Sequence, residues 1–273
     1  MKQARPVKRK VLRGVQANAG IEADYRRRLR ALIERMTRDV SKQVTDAYAR
    51  RRTEVARLAG DESPAAAMRR LMRELTRRWT KQFDDAAPRL AKWFATATHK
   101  RSDAALRKIL RDAGFLIDWK MTAAQNDALQ ATIGEQVGLI KSIPQRYLSQ
   151  VEGMVMRSVA TGRDLKQLND DLREQFGVTR RRAELIARDQ NAKATATLTR
   201  VRQLEAVGQE AEAIWCHSAG GKTPRPTHVK AGRERTKYKV AEGWYDPAVG
   251  KKIWPGTEIN CRCFSRLVVR GFS

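Results

Sequence analysis

The stretch IEADYRRRLRALIERMTRDVSKQVTDAY, residues 21–48, carries an apolar side chain at every third or fourth position. This spacing places the apolar side chains on one face of an α-helix, which has 3.6 residues per turn. Val55 and Leu58 continue the apolar face, and arginines crowd the other faces. We therefore predict one amphipathic helix of about 38 residues, roughly 57 Å long. Its apolar positions are Ile21, Tyr25, Leu29, Leu32, Met36, Val40, Val44 and Tyr48.

The segments before and after this helix are predicted to be an arm and two further helices. Residues 1–20 mix basic residues with Pro and Gly without periodicity, which predicts a flexible basic arm. Ser63 and Pro64 supply an N-cap and a first helical residue for the next helix. Pro88 is expected to interrupt that helix, and another then runs to a cap at Gly114.

Further helices are predicted through the middle of the chain, because apolar residues keep the helical period there. Thr122 is expected to cap one helix, and Pro144 to open another. A short helix over residues 164–177 begins with an acidic variant of the capping box. Thr179 then starts the last long helix, which is expected to end at Gly208.

The sequence changes character at about residue 214, where turn-forming residues separate short apolar pieces. All three cysteines and two of the three histidines fall in this last region. From Asn260 to Arg270 a small apolar side alternates with a largely cationic side, which predicts a closing strand with its cysteines facing inward. The predicted fold class is mainly α, with long amphipathic helices followed by a small α+β C-terminal module. The expected regions are the arm 1–20, a helical region 21–134, a second helical region 135–213 and the module 214–273.

The net charge of +26 arises from 56 basic and 30 acidic residues that are spread along the whole chain. A field of this sign attracts polyanions, and double-stranded DNA is the densest common one. Zinc-finger spacing, basic-zipper heptads and RNA-binding strand motifs are absent from the sequence, so we expect non-specific contacts with the phosphate backbone. The sequence has no run of about 18 apolar residues and no apolar stretch behind its N-terminal charges, so we expect neither a membrane span nor a secretory signal.

The pair Cys261 and Cys263 admits several interpretations. A disulfide between positions i and i+2 of a strand would be strained, and a nucleophile would need a base such as His228 close by. A structural zinc site is the main rival, because Cys216 and His228 bring the number of ligands to four, although their spacing is unusual. We favour buried free thiols on a strand, without a cofactor.

Taken together, these residues resemble the closing motif of the phage Mu F-like family, also called phage head morphogenesis or minor head proteins. The resemblance covers about residues 135–270. Where some relatives carry Cys-x-x-Cys, this chain has Arg225-x-x-His228. The residues that carry the resemblance are Ile186-Ala187-Arg188-Asp189, Trp215, Arg225, His228, Gly232, Pro255-Gly256 and Asn260-Cys261-Arg262-Cys263.

The resemblance implies a non-catalytic minor virion component that associates with the portal and other head proteins. It implies a place in the head interior beside packaged DNA, after assembly in the host cytoplasm. The motif residues are then structural, and no membrane is involved. The alternative is a phosphodiesterase or nuclease, with His228 and Glu258 as acid–base groups and Arg225 and Arg262 stabilising the transition state.

Overall fold

The computed structural model describes residues 9–54, 63–161, 164–221 and 223–270. Its long helices and short C-terminal strands confirm the predicted fold class, mainly α with a small α+β module. The described residues form β1 (Arg9–Val11), α1 (Ala19–Glu54), α2 (Pro64–Asp112), α3 (Ala123–Ala160), α4 (Leu165–Val207), β2 (Glu212–Cys216), α5 (Pro226–Arg233), β3 (Lys237–Lys239), β4 (Trp244–Asp246), β5 (Lys251–Ile253) and β6 (Phe264–Arg270).

The chain divides into two compact units. The first unit contains the described parts of residues 1–22, 93–133 and 187–273, and the second contains those of residues 23–92 and 134–186. Each of the four long helices contributes residues to both units. No helix among the described residues is long and apolar enough to cross a bilayer.

The second unit is built from helices that bury their apolar faces. The predicted stripe on α1 is confirmed, because Tyr25, Leu29, Leu32, Met36, Val40, Val44 and Tyr48 are all buried. Two of the buried polar side chains on these faces hydrogen-bond to neighbouring helices: Tyr25 donates a hydrogen bond to Gln136 Oε1 at 2.9 Å. Trp79 Nε1 donates one to Asp39 Oδ2 at 2.7 Å. The predicted continuation of the stripe at Val55 and Leu58 lies outside the described residues.

The predicted helix caps are confirmed. Ser63, Thr122 and Asp164 each accept a hydrogen bond from the backbone N–H three residues further on. This satisfies a donor that the first turn of a helix leaves unpaired. Gly114 and Gly208 follow the ends of α2 and α4 with φ angles of +95° and +90°, the left-handed conformation that glycine adopts without strain.

Three predicted helix boundaries are wrong. Pro88 lies inside α2 and Pro144 lies inside α3. An internal proline costs about 3 kcal/mol, and apolar side chains buried along both helices offset that cost. The break expected at residues 177–179 is also missing. Helix α4 continues through these residues, and Thr179 Oγ1 donates to the Gln175 carbonyl at 2.9 Å instead of capping a helix start.

The first unit contains a four-stranded antiparallel sheet with the strand order β1-β6-β2-β3. Strand β6 lies between β1 and β2, so that Val268 pairs with Val11 and Leu267 pairs with Ala213. The predicted flexible arm is therefore wrong for the described residues from 9 onward, because β1 joins the sheet and Leu12 and Val15 are buried behind it. Strands β4 and β5 form a separate antiparallel pair.

Two hydrophobic clusters accompany this sheet. The predicted alternation is confirmed within β6, where Leu267 and Val269 enter the larger cluster. The strand begins at Phe264, however, so Cys261 and Cys263 precede it instead of belonging to it. The larger cluster contains Leu12, Val15, Leu106, Leu110, Ala211, Ala213, Tyr238, Val240, Leu267 and Val269. The smaller cluster contains Trp215, Ala231, Ile253, Cys261 and Cys263.

A buried charge network links α2 and α4 within the first unit. The side chain of Arg202 is only 3% exposed, and its guanidinium donates to both carboxylate oxygens of Asp103, at 3.0 and 2.9 Å. It also donates to Glu205 Oε2 at 2.7 Å and to the Lys120 carbonyl at 2.9 Å. Paired in this way, a buried arginine satisfies most of its donors.

Candidate functional site

The smaller cluster surrounds the buried side chain of His228 on α5. The Trp215 ring, which is fully buried, meets the His228 ring edge-on with centroids 4.9 Å apart. His228 Nε2 lies 3.2 Å from Asp246 Oδ2. The other ring nitrogen, Nδ1, lies 3.5 Å from Cys261 Sγ and 3.9 Å from Cys263 Sγ. The imidazole thus stands between one carboxylate and two sulfur atoms.

Asp246 determines which nitrogen of His228 carries the proton. Its side chain is fully buried and also accepts hydrogen bonds from Thr227 Oγ1 at 3.3 Å and from the Ala248 backbone N–H at 3.0 Å. Because an ionised carboxylate only accepts, the His228 proton belongs on Nε2, where it is donated to Asp246. The Nδ1 lone pair then faces the two cysteines.

The two thiols are free cysteines that influence one another. The hydrogen bond with Cys263 lowers the pKa of Cys261 to about 4, although burial opposes this shift. The interaction with Cys261, together with burial, raises the pKa of the Cys263 thiol. Of the two thiols, Cys261 therefore loses its proton more readily than Cys263.

The loop that carries both cysteines depends on Gly256. This residue has a φ of +90°, and a Cβ added to it would lie 3.0 Å from the Cys263 carbonyl oxygen and 3.1 Å from Ala196 Cβ. Its backbone N–H donates to Cys261 Sγ at 3.4 Å. The Cys261 N–H in turn donates to the Glu258 carbonyl at 2.9 Å. A tight turn thus directs Cys261 into the cluster.

Helix α4 holds the same loop through Asn260. The Asn260 backbone N–H donates to Asp189 Oδ1 at 2.6 Å, and Arg188 Nη2 lies 3.4 Å from Asn260 Oδ1. Asn260 itself has a φ of +59°, which asparagine tolerates better than most residues. The Ile-Ala-Arg-Asp and Asn-Cys-Arg-Cys elements of the sequence are therefore in direct contact.

Two further arginines tie neighbouring loops together. Arg225 Nη2 donates to the Ile259 carbonyl at 3.0 Å, and Arg262 Nη1 donates to the Gly220 carbonyl at 2.8 Å. Gly232 lets α5 approach the end of β2, since an added Cβ would lie 2.5 Å from His217 Cβ. The structure thus brings the motif residues together in and around one cluster: Arg188, Asp189, Trp215, Arg225, His228, Gly232, Pro255, Gly256, Asn260, Cys261, Arg262 and Cys263.

A cavity of about 320 Å³ opens beside the thiols, lined among others by His217, Arg225, His228, Cys261, Arg262 and Cys263. Of the residues considered for a nuclease, three therefore share one cavity. Glu258 does not line it; this side chain forms an ion pair with Lys251 at 3.1 Å and lines another cavity beside Trp254.

Cys216, one of the four possible zinc ligands in the sequence, lies away from the cluster. Successive side chains of a strand point to opposite faces, and Trp215 of β2 faces His228. Cys216 therefore faces the opposite side. The three groups that the structure does bring together as potential metal ligands are His228, Cys261 and Cys263, whose ligand atoms all lie within 4.8 Å of one another.

No role for Asp246 is predicted from the sequence. This residue is 18 positions from His228 and shows no spacing typical of a metal site or a catalytic pair. Its Asp-Pro-Ala-Val-Gly surroundings indicate a turn, but they do not indicate which way the carboxylate points.

Comparisons with known proteins place this cluster inside a recognised segment. Residues 149–266 match the family described as Phage Mu protein F like protein. A curated protein of Haemophilus influenzae, described as an uncharacterized protein, is 31% identical over 137 residues. That match covers 50% of this chain and 28% of the relative, so the chain spans less than a third of that protein. No solved structure matches the chain.

Proposed function

Residues 149–266 match the family described as Phage Mu protein F like protein, and on that premise we propose that the chain is a minor head protein of a phage. The family match supports a phage head-related protein, and it is the observation that carries the proposal. More specifically, we propose that the protein is a non-catalytic virion component in the head interior. It associates with the portal and lies against packaged DNA.

The non-catalytic role is supported by how the motif side chains are engaged. Asp189 accepts from the Asn260 backbone, and Arg225 and Arg262 donate to backbone carbonyls. Groups used in this way hold loops in place, as a folding motif requires. Glu258, the other acid–base group considered for a nuclease, is paired with Lys251 and does not line the cavity beside His228.

Contact with DNA is supported by the charge of the chain and by where some of that charge lies. The net charge is +26, and Arg69, Arg73 and Arg77 are exposed on successive turns of α2. A row of cations at this spacing is suited to neutralising phosphates along a backbone without reading bases.

The test of the head-protein role is co-expression with the portal subunit of the same phage, followed by co-purification at moderate salt. We expect the two proteins to elute together. An unrelated protein of similar net charge is the control for general attraction between basic and acidic surfaces. Failure to associate with any head component would refute the proposal.

The test of the non-catalytic role is incubation of the purified full chain with labelled DNA and RNA, with Mg²⁺ and with chelator. We expect intact substrates in every case. Cleavage by the wild-type protein that disappears in His228→Ala would contradict this part of the proposal.

A further inference from the structure

The buried cluster around His228 combines two thiols and an imidazole, and the proposed head-protein role does not require such a combination. Two sulfur atoms and one imidazole nitrogen converge within 4.8 Å at a point covered by Trp215. Thiolate and imidazole ligands suit zinc, whereas magnesium and calcium require oxygen ligands. We propose that His228 Nδ1, Cys261 Sγ and Cys263 Sγ bind a zinc ion.

The distances fit this assignment. With zinc–nitrogen bonds of about 2.05 Å and zinc–sulfur bonds of about 2.3 Å, a tetrahedral site separates the nitrogen from each sulfur by about 3.6 Å. The Nδ1 to Sγ distances are 3.5 Å for Cys261 and 3.9 Å for Cys263. The imidazole nitrogen therefore already stands at nearly the separation from each sulfur that the ion imposes.

Asp246 supplies the support that metal-binding histidines usually have. A histidine that binds through one ring nitrogen typically donates the other N–H to a carboxylate, which orients the ring and strengthens the ligand. Here Nε2 lies 3.2 Å from the buried Asp246 Oδ2. The carboxylate thus holds Nδ1 toward the two sulfurs and acts as a positioning residue.

The fourth position of the ion faces the cavity of about 320 Å³. Among the described residues, His228, Cys261 and Cys263 are the side chains that form the ligand group. His217 lines the cavity, but its Nδ1 already accepts a hydrogen bond from the Ala219 N–H at 3.2 Å. Three protein ligands and a water on the cavity side complete a four-coordinate zinc ion.

A nucleophilic cysteine is the competing interpretation of the same cluster. Cys261, His228 and Asp246 stand in the order thiol, imidazole, carboxylate, as in a catalytic triad. Cys261 and Cys263 are only 4% and 7% exposed, however, and both sulfurs face the same nitrogen. Reactive thiols are partly exposed, whereas paired buried thiols around one imidazole are an arrangement that a metal uses.

The first test is elemental analysis of the full chain purified from zinc-supplemented cultures. We expect about one zinc per chain in the wild type, and the same in Cys216→Ser, which removes a thiol on the other face of β2. Cys263→Ser and His228→Ala are expected to lose most of the metal. A wild type without zinc, or equal loss in Cys216→Ser, would refute the site.

The second test remains informative if the ligand variants fail to fold. The wild type and Cys216→Ser are loaded with cobalt, and their spectra are recorded. We expect tetrahedral cobalt bands with a thiolate charge-transfer absorption of equal strength in both proteins. Asp246→Asn should bind zinc about 10- to 100-fold more weakly in a chelator competition. An unchanged zinc affinity of Asp246→Asn would contradict the positioning role of Asp246. A cobalt spectrum without thiolate absorption would refute the metal site.

A third measurement separates the metal site from a nucleophile. The full chain is treated with iodoacetamide before and after zinc addition. Zinc is expected to protect both Cys261 and Cys263 while Cys216 reacts at an unchanged rate. Selective alkylation of Cys261, at the same rate with and without zinc, would instead identify a nucleophilic thiol and overturn the proposal.

Discussion

Single small residues in the loop before β6 contribute strongly to the free energy of unfolding. Gly256 is the clearest case. Gly256→Ala should lower the free energy of unfolding by about 2 kcal/mol or more, because a left-handed alanine is strained and its Cβ meets a backbone oxygen at 3.0 Å. Gly250→Ala is the matched control, since Gly250 also has a positive φ but nothing lies within 4 Å of an added Cβ. Urea denaturation measures the free energy of unfolding of both variants. Equal losses of stability would show that the close contacts of an added Cβ at Gly256 do not contribute to the effect.

The hydrogen bond between Asp189 and the Asn260 backbone is a second test at this scale. Asp189→Ala should destabilise the protein by about 1.5–3 kcal/mol, since a bond to a charged acceptor is lost. Asp189→Asn keeps a carbonyl oxygen and should lose less. Asp170→Ala on the same helix removes only an exposed pair with Arg173 and should cost under about 0.5 kcal/mol. Thermal unfolding ranks the three variants, and an Asp189→Ala as mild as Asp170→Ala would contradict this role.

The residues of the candidate site could be predicted from the sequence where they belong to a recognised motif. The closing Asn-Cys-Arg-Cys element and the Arg-x-x-His element identified the side chains that meet in the cluster. Asp246 was missed and Cys216 was assigned to the wrong side, for related reasons. Side-chain direction depends on where a strand begins and on how a turn folds, and linear spacing does not encode either of them for residues this far apart.

At the scale of elements, periodicity predicted the helices well and their interruptions poorly. The stripe on α1 depends on many side chains, so one discordant residue does not change it. Pro88, Pro144 and Thr179 are single local signals, and burial of apolar side chains along the helices outweighs them. Caps were predicted correctly at Ser63 and Gly114, where the local signal coincides with the end of the apolar face.

The network that joins α2 to α4 gives the prediction at this scale. Arg202→Leu should destabilise the protein by about 3–5 kcal/mol, because Asp103 keeps a buried charge without its main partner. Arg107→Leu is the control, since both Arg107 and Arg202 lie over the Trp119 ring but Arg107 is exposed. We expect a loss below about 1 kcal/mol there. Guanidinium denaturation compares the stability of the two variants. Similar unfolding midpoints would contradict a large contribution of the network to stability.

For the whole molecule, the net charge of +26 predicts strongly salt-dependent binding to DNA. In filter binding, the logarithm of the association constant should fall linearly with the logarithm of salt concentration, by about 0.9 per phosphate contact. Replacing Arg69, Arg73 and Arg77 together by Gln should flatten that slope. The control replaces Arg27, Lys108 and Arg173, which form exposed ion pairs, and changes the net charge equally. A flat salt dependence of the wild type would contradict phosphate binding.

The topology of the sheet was beyond the reach of sequence reasoning. Strand β1 is only three residues long and lies in a stretch that resembles a solvated arm. Its partner β6 is near the other end of the described chain, and Arg266 Nε donates to the Leu12 carbonyl across a separation of 254 residues. Pairing over such a distance leaves no periodic trace in either segment, so only the assembled unit reveals it.

The position of β6 between β1 and β2 has a consequence for protein synthesis. At about 5–20 residues per second, roughly 12–50 seconds pass on the ribosome between the appearance of β1 and that of its partner. Until then both β1 and β2 lack their common neighbour. A nascent chain that stalls before residue 264 cannot finish the sheet, so translation must run through β6 before the unit closes. The fold thus distinguishes chains translated through β6 from chains interrupted before it.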